Sequence, residues 1–302
     1  MKMNSDDYNF ESVLGSGTFG TVHLVRRKSD WKPFVIKEQK LSATNFLSFK
    51  MALIEVDSIR KLRHPNIVSY RGAWLEGKRS FILMEFARHG TLKDLLEKRQ
   101  MPLKEEDAVY LFTQVVLGVN HIHSKNILHR DLKPENIMLT GRNADVVKIV
   151  DFGLSKNNQE SILSHAGTFF YMAPEMLQGQ VYDLKCDIWS MGVVLYEMVT
   201  KTLPFPATTL PELIKMVMLE KPKPFSIGLS ENLISMISKM LRKKAILRPS
   251  TELLISSPCL KNIVVKIYLN VGRCHPNLKD ELTPKVFLNF LKPKSATITK
   301  KV

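Results

Sequence analysis

Apolar and polar positions alternate on either side of a glycine-rich stretch at 15–20, and Phe34-Val35-Ile36-Lys37 reads as a short strand. The period then changes. Phe46, Phe49, Leu53, Val56 and Ile59 recur every three or four residues, which predicts an amphipathic helix of about 18 residues. His64-Pro65-Asn66 stops it. Two further strands are predicted over 67–75 and 81–86, and His89-Gly90 reads as a linker. From residue 91 onward the period is helical. Val109, Phe112, Val116, Val119 and Ile122 form one apolar face, whereas 188–199 is apolar nearly all round, the pattern of a buried helix. Segments 230–241 and 249–255 add two more helices. A strand-rich part followed by a helix-rich part predicts an α+β protein in two segregated lobes, and ligand sites favour the cleft between such lobes. There is no internal repeat and no low-complexity segment.

Composition narrows the picture. At 302 residues, 44% hydrophobic and 24% charged, the chain can bury a sizeable core as one large domain or two lobes. No run of about 18 apolar residues predicts a membrane span, and Met1 to Phe10 lacks the apolar region of a signal peptide. Cys186, Cys259 and Cys274 are widely spaced and form no Cys-x-x-Cys pair, so cytosol or nucleus is the expected compartment. The net charge of +15 suits nucleic acid, anionic lipid or acidic proteins. No zinc-finger, RNA-recognition or helix-turn-helix pattern accompanies it, so nucleic acid is not an expected partner. Residues 261–302 hold nine Lys or Arg against two acids, which makes the tail basic. Two apolar patches in that tail, 263–269 and 286–291, are expected to pack on the helical lobe, to dock a partner or to stay disordered.

The chemistry is concentrated in His129-Arg130-Asp131-Leu132-Lys133-Pro134-Glu135-Asn136, followed 15 residues after its Asn by Asp151-Phe152-Gly153. An acid that can orient a hydroxyl, a Lys two positions on, and two metal-ligand candidates stand in fixed order, as phosphoryl transfer from a metal-bound nucleotide requires. This set resembles the protein kinases. Gly15-Ser16-Gly17-Thr18-Phe19-Gly20-Thr21-Val22 alone also suits a dinucleotide-binding loop. Such a loop opens into a helix, however, and here the glycines run into Val22-His23-Leu24-Val25, a strand.

The resemblance implies a bilobal kinase fold: an extension over 1–7, a kinase domain over 8–258 (small lobe 8–86, hinge 85–89, large lobe 90–258) and the basic tail, 259–302. It implies that Gly15, Ser16, Gly17 and Gly20 cover the phosphates of ATP. Lys37 would hold the α- and β-phosphates, with Glu55 as its ion-pair partner. Val22, Val35 and Leu139 would enclose the base, with Met84 as gatekeeper and Glu85 to Ala87 as the hinge. Asp131 would be the base or hydroxyl-orienting acid, and Lys133 would neutralise the transferring phosphoryl. Asn136 and Asp151 would hold Mg²⁺, with Mn²⁺ as substitute. His129, Phe152, Ile59 and Tyr70 resemble the apolar column that joins the lobes, and Tyr70 is large enough to hold an inactive pose instead. Arg130 implies regulation by phosphate in the activation segment, 151–175, where Ser161, Ser164 and Thr168 are candidates. Thr168 has the second role of bonding Asp131 and Lys133. Glu175 would pair with Arg248, and Asp187 would anchor the catalytic loop.

Lys133 implies Ser/Thr protein substrates, and Phe169 and Met172 argue against proline direction. Val35-Ile36-Lys37-Glu38, Tyr70, Met84 and the place of Ser164 resemble the NIMA-related kinases. Arg88-His89-Gly90-Thr91-Leu92 departs from the Gly-Gly-Asp-Leu usual there and removes an acid from the expected ribose contact. His64 to Tyr70 with Ala73-Trp74-Leu75-Glu76 also resembles the kinases of translation initiation factor 2, without their long insert. The rival function is a pseudokinase that regulates by shape. A monomer or transient dimer is expected, since no coiled-coil heptads follow.

Overall fold

The computed structural model describes residues 3–17, 20–41, 56–57, 59–151, 166–225 and 228–274. Five antiparallel strands, β1 (Tyr8–Gly17), β2 (Gly20–Arg27), β3 (Pro33–Lys40), β4 (Tyr70–Glu76) and β5 (Arg79–Glu85), form one sheet in the order β1-β2-β3-β5-β4. Side chains alternate across a strand, so the sheet has two different faces. Ile36, Phe81 and Leu83 enter a small core with Tyr8 and Val25. The positions between them, Val35, Lys37, Ile82 and Met84, line the interlobe cavity. Tyr8 stacks on Trp74 at 6.0 Å, and Trp74 on Phe81 at 5.4 Å, closing the core on its outer side.

The helix predicted over the 46–59 stripe is described only at its end, where 56–57 and 59–60 are helical and Ile59 is buried. The strand predicted over 67–75 begins at Tyr70 instead. The backbone before it is engaged by the other lobe, which carries the two-stranded sheet β6 (Ile137–Thr140) and β7 (Val146–Ile149). Val68 donates to Ile149 O at 3.0 Å, and Ile149 donates to Asn66 O at 2.9 Å. A second tie is ionic: Lys148 Nζ on β7 lies 2.7 Å from Glu85 Oε1, which also accepts from the Ser69 amide at 2.9 Å.

The large lobe is built from α1 (Leu92–Lys98), α2 (Glu105–His123), α3 (Pro174–Leu177), α4 (Lys185–Thr200), α5 (Leu210–Leu219), α6 (Glu231–Met240), α7 (Thr251–Ile255) and α8 (Lys261–Cys274). The all-round apolar helix of the sequence is α4, whose Trp189, Met191, Val194 and Met198 are fully buried at the centre of the lobe. The chain turns where hydroxyl residues satisfy helix N-termini. Thr91 and Asp94 form a reciprocal capping box on α1, and Ser230 caps α6 through the Leu233 amide. The first apolar patch of the basic tail lies in α8, which places Val264 and Ile267 in the core, in contact with α2. The second patch lies outside the described residues.

Candidate active site

Both lobes line one cavity of about 400 Å³, a volume suited to a nucleotide-sized ligand. One end is apolar, with Val22, Val35, Ile82, Met84 and Met138 beside the backbone of Glu85 to Ala87. The other end carries Lys37, Asn136 and Asp151 beneath the glycine stretch. Every nucleotide-binding position expected from the sequence lines this cavity except one. Leu139 is 1% exposed and belongs to the large-lobe core. The residue on the cavity floor is Met138. Alternation along β6 turns adjacent side chains to opposite faces, so the assignment was out of phase by one residue. Leu14, Ile59, Val68, Thr91, Glu135 and Val150 also line the cavity, and only the folded chain brings them there.

The three glycines have different reasons to be glycine. A Cβ at Gly15 or Gly17 would meet nothing within 4 Å, so the protein's own packing does not exclude a side chain there. Gly20 has φ +117°, and a Cβ on it would sit 2.0 Å from Glu38 O. Gly20→Ala is therefore expected to destabilise the small lobe by more than about 1 kcal/mol. Gly17→Ala is expected to leave the melting temperature unchanged while weakening ATP binding. Thermal unfolding with and without nucleotide checks both. Equal loss of stability in the two variants would mean that Gly17, too, is a packing requirement.

Lys37 is 7% exposed, and its Nζ lies 3.0 Å from Asp151 Oδ1. These residues are 114 apart in sequence, so the pair joins the lobes at the charged end of the cavity. Glu55, the expected partner of Lys37, lies outside the described residues, as do Phe152, Ser161, Ser164 and the side chain of Thr168. Asp151 has φ +57° and Arg130 φ +68°, left-handed conformations that non-glycine residues rarely adopt and that cluster at functional sites.

Asp131 is 4% exposed. Its Oδ2 lies 3.2 Å from Lys133 Nζ and accepts from Asn136 Nδ2 at 3.0 Å. Asn136 Nδ2 also donates to Asp131 O at 2.8 Å. With both its N–H groups so directed, the Asn136 side chain keeps its amide oxygen for a cation. The Asn136 amide and the Asp151 carboxylate form an all-oxygen set, which suits Mg²⁺. Mg²⁺ usually takes one or two protein ligands and completes its shell with phosphate and water. Among the described residues no cluster of three His, Cys, Asp or Glu offers an all-protein metal cage.

The loop carrying Asp131 hangs from one buried carboxylate. Asp187, in the first turn of α4, accepts from the His129 and Arg130 amides, both at 2.9 Å, and from His123 Nε2 at 2.9 Å. His129 is fully buried. Its Nε2 faces Val150 O at 3.1 Å and its Nδ1 faces the Asp131 amide at 3.3 Å, which selects the neutral tautomer protonated on Nε2. Burial also holds this imidazole below its ordinary pKa. For Asp187, burial alone would raise the pKa, but the His123 hydrogen bond, the nearby histidines and the His129 amide together lower it. A lowered carboxylate pKa contributes stability above the unfolded value of about 4, and that contribution disappears as pH falls through the folded value. Asp187→Asn is thus expected to be less stable than the wild type at pH 7. The gap should close below about pH 4, as denaturant titrations across pH would show. A gap independent of pH would refute the ionic anchor.

Glu175 and Arg248, expected to pair, do so bidentately at 2.6 and 2.7 Å inside the large lobe. Ile59 is in the core and Tyr70 packs against it, two members of the column expected between the lobes.

Residues 8–260 match the protein kinase domain family. Human serine/threonine-protein kinase Nek5 is 36% identical over 265 residues, covering 86% of this chain and 37% of Nek5. Human Nek2 is 33% identical over 277 residues, covering 87% of this chain and 62% of Nek2. The Caenorhabditis elegans kinase nekl-2 is 30% identical over 297 residues, covering 94% of this chain and 83% of nekl-2. This chain thus spans well under half the length of human Nek5. These relatives do not favour the likeness to initiation-factor-2 kinases. With a matching domain over most of its length and relatives of one group, the chain belongs to the protein kinase family as a NIMA-related (Nek) member.

Proposed function

We propose that this chain is an active Ser/Thr protein kinase that transfers the γ-phosphoryl group of ATP to hydroxyls on proteins. The carrying observation is convergence. A cavity with an apolar end and a charged end opens beside Asp131, Lys133 and Asn136, and the Lys37–Asp151 pair sits where phosphates would lie. The hinge backbone reads the base edge, and Lys37 neutralises the α- and β-phosphates. Asp131 orients the substrate hydroxyl and takes its proton as the oxygen bonds to phosphorus. The bond between the γ-phosphorus and the β,γ-bridging oxygen breaks, and ADP leaves. Lys133 balances the charge on the phosphoryl in flight. Asn136 and Asp151 would hold Mg²⁺, which would neutralise phosphate charge as the phosphoryl group is transferred.

Control by phosphorylation in the activation segment extends this reading. Arg130 supports it. Its guanidinium lies over the Tyr182 ring at 5.8 Å, and its buried Nε has no hydrogen-bond partner among the described residues. Such a group suits a phosphate on Ser164, Ser161 or Thr168. The free Cys186 and Cys259 thiols, the latter pushed up to about 11 by burial, suit a reducing cytosol or nucleus. No helix among the described residues is long and apolar enough to cross a membrane.

The test is transfer from γ-labelled ATP with Mg²⁺ to casein and to the chain itself, beside Asp151→Asn. Label that vanishes in the variant and maps to Ser164 in the wild type is the expected result. Nucleotide binding without transfer, even in Ser164→Glu, would make this a pseudokinase.

A further inference from the structure

The half-buried Arg130 side chain forms no ion pair among the described residues. Asp187, which accepts from its amide at 2.9 Å, is committed also to the His129 amide and to His123, and Glu175 is taken by Arg248. Buried cations are ordinarily paired. What the fold supplies to this one is a ring: the central guanidinium carbon lies 5.8 Å from the centroid of Tyr182. A ring face attracts the charge yet offers no oxygen to the N–H groups, which stay open to a later acceptor.

The turn that carries Tyr182 is braced between α3 and α4. The Gln180 amide donates to Glu175 O at 2.9 Å, the Cys186 amide to Asp183 O at 3.1 Å, and the Lys185 amide to Asp183 Oδ1 at 2.9 Å. Tyr182 is half-buried and packs against the large-lobe core. Both ends of Arg130 are therefore set from one place, the start of α4. Asp187 fixes the backbone, at φ +68°, and Tyr182 receives the guanidinium. An Arg side chain without such a seat spreads over many rotamers, and ordering it costs free energy. A phosphate arriving on the activation segment meets one already ordered.

We propose that Tyr182 is a positioning residue for activation by phosphate: its ring seats the Arg130 guanidinium where a phosphorylated activation segment engages it. The inference rests on the phosphorylation control read above. A ring contact of this kind raises the population of the seated pose by about twofold to thirtyfold. It acts on the response to phosphate and not on turnover before phosphate arrives. The ring is the required part, and the hydroxyl is not.

The test is an activation ratio for each variant of the full chain. Steady-state transfer to casein is measured after autophosphorylation in Mg-ATP and again after phosphatase treatment, with phosphate occupancy matched by mass spectrometry. Tyr182→Phe, which keeps the ring, is expected to retain the wild-type ratio. Tyr182→Leu is expected to lower that ratio at least about threefold, with kcat of the phosphatase-treated form unchanged. Because the ratio compares two forms of one variant, a general loss of folded protein cancels. An unchanged ratio in Tyr182→Leu, or an equal fall in Tyr182→Phe, would overturn the role of the ring and leave phosphorylation control intact. A wild type indifferent to phosphatase would overturn both.

Discussion

Asp131→Asn is expected to lower kcat for protein phosphorylation by roughly a thousandfold, within the range that removal of a positioned general base produces. The substitution keeps the shape of the side chain, so the loop should hold its fold through Asp187, which bonds the His129 and Arg130 amides rather than the Asp131 carboxylate. On the proposed mechanism it removes the carboxylate that takes the hydroxyl proton. It also removes the charge that fixes Lys133 Nζ at 3.2 Å. Asp131 is not among the residues lining the nucleotide cavity. KM for ATP should therefore change by less than about threefold while kcat collapses, the signature of an interaction made in the transition state. Steady-state kinetics at varied ATP would show the split. A variant that kept a tenth or more of the wild-type kcat would exclude Asp131 from the chemistry.

Arg248→Ala is expected to destabilise the large lobe by about 3–5 kcal/mol, the usual cost of stripping one partner from a buried ion pair. Arg248 is 2% exposed and Glu175 8% exposed. Besides the bidentate pair, the guanidinium donates to Arg242 O, Lys185 O and Lys243 O at 2.8 to 3.0 Å and lies over the Trp189 ring at 5.1 Å. One side chain thus ties α3, the start of α4 and the 242–248 loop together. Its removal leaves the Glu175 carboxylate buried without its cation and takes a charged donor from three carbonyls. Denaturant unfolding would measure the loss. Glu175→Gln with Arg248→Met should recover part of it, because replacing both partners leaves no charge buried alone. A loss below about 1 kcal/mol for Arg248→Ala would mean that water satisfies these groups in the variant.

Much of this was legible along the chain because the signals are local. The glycine stretch running into β2 already separated this site from a dinucleotide-binding loop. The spacing from Asp131 to Asn136 and Asp151 named the chemistry, because a phosphoryl-transfer site needs those groups in that order. The stripe of α2 and the all-round apolar α4 follow from helical periodicity, which any stretch of ten or more residues displays.

What required the tertiary structure was every decision between distant neighbours. Periodicity cannot say that the backbone at Asn66 and Val68 bonds to Ile149 and so delays β4 to Tyr70. Nor can it give the phase of a four-residue strand, so Leu139 was placed at the cavity and Met138 overlooked. Thr91 read only as a missing acid until the bridge to Met138 and the capping box with Asp94 gave it a position. Lys37 and Asp151, separated by 114 residues, meet because β3 and β7 close on the same cavity. Sequence alone determined which side chains this protein has for its chemistry and the periods of its elements, since both are properties of neighbouring residues. Packing between the lobes decided which of them share a space, because those contacts join segments whose separation along the chain carries no periodic signal.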